Sequence, residues 1–148
     1  MSVRLQRAGF DPGAESNCFL AAAAGAGAAV TFTGLVRSLP DDPVKTLTLE
    51  CYEELAQNQI AKIVAEAMAR FQLLDAEVIH RFGTLAAGEP IEQVMTLAPH
   101  RQAAFQAAEF LMDYLKTEAP FWKQELTPQS TRWVESKSED AAAKARWE

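Results

Sequence analysis

Cysteine is scarce. The 148 residues hold two, Cys18 and Cys51, far apart and in no Cys-x-x-Cys spacing. That argues against a disulfide framework and for a reduced, cytoplasmic chain. Histidine is equally scarce, with only His80 and His100, and without a Cys/His cluster no metal site is expected. Basic residues are outnumbered fourteen to twenty, for a net charge of −6. A general nucleic-acid binder needs a basic face to displace counterions, so no nucleic-acid partner is expected, although a local basic pocket stays open. Long hydrophobic runs are missing too. Residues 16–36 carry no charge, but they are mostly alanine, broken by Gly25 and Gly27. Alanine is too weakly apolar for such a stretch to enter a membrane, so no membrane partner is expected. Asp11, Pro12 and Glu15 stand where a signal peptide would need a cationic start leading into a leucine-rich run.

What is present suits one globular domain spanning 1–148. Apolar residues make up 49%, of which 27 are alanine, and the bulky remainder can fill a core. Val3 and Leu5 alternate with polar neighbours, as in a short strand. Asp11-Pro12 is a helix start, and the helix should run to about Ala24 and stop at Gly25. Residues 28–37 and 44–52 read as strands around a Ser38–Pro43 loop. Ile60, Ile63, Val64, Ala67, Met68 and Phe71 fall at helical spacing within 54–71. Strands near 76–82 and 91–97 flank a Gly83–Pro90 connection. A third helix opens at Pro99 or His100 and ends near Lys116, and Pro120 prevents its continuation. Residues 121–126 and 132–135 look extended. The charged, alanine-rich segment 137–148 reads as a weak helix or a mobile tail. This order is not the alternation of a doubly wound sheet. It predicts an α+β fold with three main helices and a mixed, largely antiparallel sheet.

Gly25-Ala26-Gly27 follows a helix and precedes a strand, the reverse of a dinucleotide-binding turn, so it reads as a helix stop. His80, mid-strand with Val78 and Phe82 on its face, reads as a core or interface histidine. His100 and Arg101 open a helix, where free N–H groups favour anions; an anion site and a solvated helix start fit them equally. Lys116 and Lys123 bracket Pro120. Each is a solvated surface lysine unless burial or nearby cations lower its pKa and make it an acid or base. Arg37 ends a strand beside a loop, a common ligand position and an equally common exposed one. The residues alone reach a possible anion pocket made by Arg37, His100, Arg101, Lys116 and Lys123, and no reaction.

The ordered set Val30–Arg37 (Val-Thr-Phe-Thr-Gly-Leu-Val-Arg), Leu47–Glu50, Ile79–Gly83, His100-Arg101, Met112–Lys116 (Met-Asp-Tyr-Leu-Lys), Ala119–Lys123 (Ala-Pro-Phe-Trp-Lys) and Arg132–Glu135 resembles the catalytic subunit family of molybdopterin synthase along nearly the whole chain. The resemblance implies an α/β hammerhead fold. It implies a sulfurtransferase that converts cyclic pyranopterin monophosphate to molybdopterin. The two sulfurs would come from the C-terminal Gly-Gly thiocarboxylate of a small ubiquitin-like sulfur-carrier subunit, with a homodimer of this chain at the centre of a heterotetramer. No cofactor and no metal are implied. By motif, the substrate-binding positions fall on Arg37, His100, Arg101, Lys116 and Lys123, with Gln124 and Glu125 beside them. Lys116 would be the main acid/base group and Lys123 its support. The alternative is a non-catalytic docking module whose lysines only receive the carrier's acidic tail.

Overall fold

The computed structural model describes residues 1–135 and 137–148. Eight strands and four helices follow in the order β1 (Ser2–Gln6), α1 (Pro12–Ala21), β2 (Ala28–Leu35), β3 (Thr46–Cys51), α2 (Glu53–Arg70), β4 (Asp75–Arg81), β5 (Gly83–Ala86), β6 (Pro90–Ala98), α3 (Arg101–Thr117), β7 (Phe121–Leu126), β8 (Thr131–Val134) and α4 (Ser138–Ala145). The strands form two four-stranded sheets, in the orders β1-β4-β6-β2 and β5-β3-β7-β8. Among the described residues, only the β1–β4 pair is parallel. The fold is α+β, as the sequence predicts, with two sheets where one was expected and a fourth helix at the end. Among the described residues, no helix is long and apolar enough to cross a membrane.

Alternation along β4 and β6 explains the layering. Ala76, Val78, Val94 and Ala98 join Ile60, Val64, Ala104, Phe110 and Leu111 in a core between the first sheet and α2/α3. Ile79, Met95 and Leu97, one residue out of phase, pack against Phe19 of α1 on the opposite face. With both faces covered, β6 is buried from Ile91 to Ala98, which accounts for its nearly unbroken burial in spite of Glu92, Gln93 and Thr96. The second sheet closes over a smaller core of Val36, Val44, Leu47, Leu49, Phe82, Leu85 and Ile91.

Two boundaries differ from the sequence reading. Helix α1 begins as expected, with the Asp11 carboxylate accepting from the Gly13 and Ala14 N–H groups, but it ends at Ala21. Ala22 and Ala24 are exposed and bury little to extend the helix, and Gly25, at φ 75°, forms the turn instead. The Gly83–Pro90 connection contains a strand, β5. Its register to β3, from Thr46↔Ala86 to Leu49↔Gly83, supplies the pairing that its own glycine-flanked sequence does not advertise.

Candidate active site

Lys116 stands in the last turn of α3, where a cation complements the helix dipole. Lys123 lies on β7. Opposite Leu49 in the β3 register, it shares the inward face of the second sheet with Phe121. Helix α3 stops at Thr117, and the short Glu118–Pro120 link turns the chain into β7, so the two lysines meet across that link. They line a cavity of about 350 Å³ with His80, Glu92, Thr117, Phe121, Val134, Glu135, Lys137 and Asp140. The walls beyond β8 come from the segment entering α4. The far end of α4 is tied to α3 and its C-cap by Lys144 to Glu118 (2.9 Å), Arg146 to Asp113 (3.0 Å) and the Trp147 indole N–H donating to Asp113 (2.7 Å).

The cavity floor is electrostatically structured. Glu92 is buried, and its Oε1 lies 3.0 Å from Lys116 Nζ. His80, opposite Glu92 in the β4–β6 register, stacks on Phe121 with ring centroids 4.1 Å apart. The His80 Nδ1 lies 2.8 Å from the Arg81 carbonyl oxygen. Burial pushes the His80 pKa down to about 4, against the opposing pull of Glu92, so this imidazole is neutral at pH 7. Burial, and then the neighbouring Lys116 cation, hold Lys123 below the ordinary lysine range. Both effects weaken the hold of Lys123 on its proton, so more of it stands in the neutral form that can accept one.

Arg37 lies just past β2 on an adjoining groove of about 590 Å³, which it lines with Gly34, Ser38, Ile91 and the same Glu92 and Lys116. The cavity and the groove therefore meet at the Glu92–Lys116 pair. His100 and Arg101 are elsewhere. They line a separate concavity with Gly27, Pro99 and Gln102 at the other end of α3. Gln124, next in β7, points to the opposite sheet face from Lys123, while Glu125 pairs with Arg132 at 2.8 Å; neither lines the cavity. Of the residues expected from the sequence, the fold thus brings Lys116, Lys123 and Arg37 together. Sequence reasoning read His80 as a core residue and did not single out Glu92. A carboxylate between Ile91 and Val94 in an apolar strand was the available signal.

Residues 5–118 match the model of the MoaE protein family. A Cereibacter sphaeroides relative named molybdopterin synthase catalytic subunit is 51% identical over 147 residues, covering 99% of this chain and all of its own. A solved MoaE protein of molybdopterin biosynthesis from Burkholderia ambifaria superposes with a TM-score of 0.83 at 44% identity, covering 99% of this chain and 97% of its own. The same fold occurs at 20% identity and a TM-score of 0.76 in a Helicobacter pylori complex of subunits 1 and 2 of molybdopterin-converting factor, with 92% of each chain covered. Matched over its length in sequence and in fold, the chain belongs to the MoaE family, that of the molybdopterin synthase catalytic subunit.

Proposed function

We propose that this chain inserts two sulfurs into cyclic pyranopterin monophosphate to give molybdopterin. It would take each sulfur from the C-terminal thiocarboxylate of a small ubiquitin-like subunit. The observation that carries the reading is the pair of lysines in one cavity, with Lys123 held below the ordinary lysine range by burial and by Lys116. Sulfur addition and loss of oxygen both need protons moved at the reacting carbon, and a lysine tuned toward neutrality can move them. A docking module would need cations to receive an acidic tail, but it has no use for a half-buried lysine with a weakened hold on its proton.

In this reading Arg37 binds the substrate phosphate, for which its planar donor fork is suited. The roles that the resemblance implies for the two lysines are exchanged: Lys116 holds an anionic group of substrate or thiocarboxylate, and Lys123, with its weakened hold on a proton, takes and returns it. His100 and Arg101 also bind substrate, but from a second copy. Along α3, Arg101 and Lys116 are 15 residues apart, which is roughly 22 Å of rigid helix and longer than a pterin. The working unit is then a homodimer of single-domain chains, 1–148, carrying one small subunit at each site, in the cytoplasm. Incubation with thiocarboxylated small subunit and cyclic pterin, followed by product analysis, tests the reading. Molybdopterin is expected, and tight complex formation without product would leave only docking.

A further inference from the structure

We infer that Glu92 is a positioning residue of this site: its buried carboxylate fixes Lys116 Nζ at the seam between the lysine cavity and the Arg37 groove. The inference rests on the function proposed above. Glu92 is 1% exposed, on a strand buried on both faces. Among the described residues its one ion-pair partner is Lys116, at 3.0 Å; neither of its oxygens makes a hydrogen bond, so charge holds the pair. A carboxylate so placed is costly, and a well-packed apolar residue at the same point would commonly be as stable or more so. Stability therefore does not account for it, whereas its position does, since Glu92 and Lys116 line both concavities.

The opposing strand is shaped to admit the carboxylate. Gly34 faces Glu92 in the β2–β6 register, and a Cβ there would lie 2.7 Å from the Glu92 Cδ. Lys116, in contrast, is one-third exposed at a helix end. Unpaired, its long stem would sample many rotamers; paired, it presents one ammonium position to both concavities. The charged and titratable groups facing it are Glu92 from β6, His80 from β4, Lys123 from β7, Arg37 from beyond β2, and Glu135, Lys137 and Asp140 from the C-terminal segment. Of these, Glu92 is the buried anion. It fixes Lys116 as a charged anchor, and proton transfer falls to Lys123.

The test uses the full chain with its small subunit, and two variants. Glu92→Gln keeps the shape and removes the charge. Glu92→Asp keeps the charge and shortens the reach. For Glu92→Gln, kcat should fall by about 10²-fold, the loss a misplaced catalytic group produces, with a much smaller change in KM for the pterin. The acid limb of its pH–rate profile should move to lower pH, because an anion that favours charged Lys123 is gone. Glu92→Asp should leave that limb in place while lowering kcat at unchanged KM. A Glu92→Gln enzyme with wild-type kcat and profile overturns the inference. So does one whose loss equals its loss of folded protein. If Glu92→Gln does not fold, Glu92→Asp decides, and an unchanged kcat overturns. A separate readout needs no activity: the Lys116 ammonium signal in NMR of the free chain should be sharp in wild type and exchange-broadened in the variant. Identical signals overturn the positioning role. If wild type makes no product, the proposed function fails while this signal still judges Glu92.

Discussion

Arg101 and Lys116 stand at opposite ends of α3, about four helical turns apart. Both are cations in candidate anion sites, and a straight helix prevents one small molecule from touching both in a single chain. A shared site therefore requires two copies, with the α3 N-terminus of one delivered to the α3 C-terminus of the other.

Complementation checks this arrangement. Arg101→Ala and Lys116→Ala are each expected to be inactive as homodimers. Mixed and re-equilibrated, they should recover about one quarter of wild-type turnover, because half the dimers are mixed and each keeps one intact site. A mixture as inactive as its components would place the two residues in separate sites.

Lys116→Ala should remain folded by circular dichroism and lose about two to three decades of turnover, the loss expected for one fixed charge contact to the reacting group. Lys123→Arg should retain binding of the small subunit, since the charge remains, yet lose turnover comparably, because a guanidinium does not give up its proton near pH 7. Stopped-flow transfer and binding calorimetry on the same samples separate the two effects.

His80 gives stability a pH dependence of known sign. Its pKa is lowered from 6.5 to about 4 by burial. The unfolded chain therefore takes up a proton below about pH 6.5, and the folded chain does so only near pH 4. The contribution is fully present above pH 6.5 and is lost as pH falls through that window. At pH 4.5 the loss should be roughly 2 to 3 kcal/mol relative to pH 7.5. Urea melts at the two pH values should show that much less difference in His80→Phe, which keeps a ring against Phe121.

Gly34→Ala should be destabilising by about 1 to 3 kcal/mol, as overpacking commonly is, because its methyl meets the Glu92 carboxylate. In a Glu92→Ala background the same change should be nearly neutral. A double-mutant cycle by thermal melting reads the coupling; additive effects would mean that the two residues do not contact.

Much of the fold was legible because local signals and packing agree. Asp11-Pro12 caps α1, the Ile60–Phe71 spacing gives α2, and Pro120 separates α3 from β7. Strand β5 was not legible. Gly83 and Gly88 are turn signals, and only pairing with β3 makes 83–86 extended. At the site, the motifs named Lys116, Lys123 and Arg37, but they also named Gln124, whose phase in β7 turns it away. His80 read as a core histidine, and it is buried. Its place on the cavity wall depends on Phe121, 41 residues further along the chain.

The sequence by itself determined the fold class, the family and the cationic residue types, because periodicity, caps and ordered motifs are local properties of the chain. Tertiary structure decided which charges meet. Glu92 and Lys116 are 24 residues apart and acquire their meaning only when the end of α3 settles over β6 beside Gly34. Burial then sets the proton affinities, and burial is a property of the packed layers rather than of any segment.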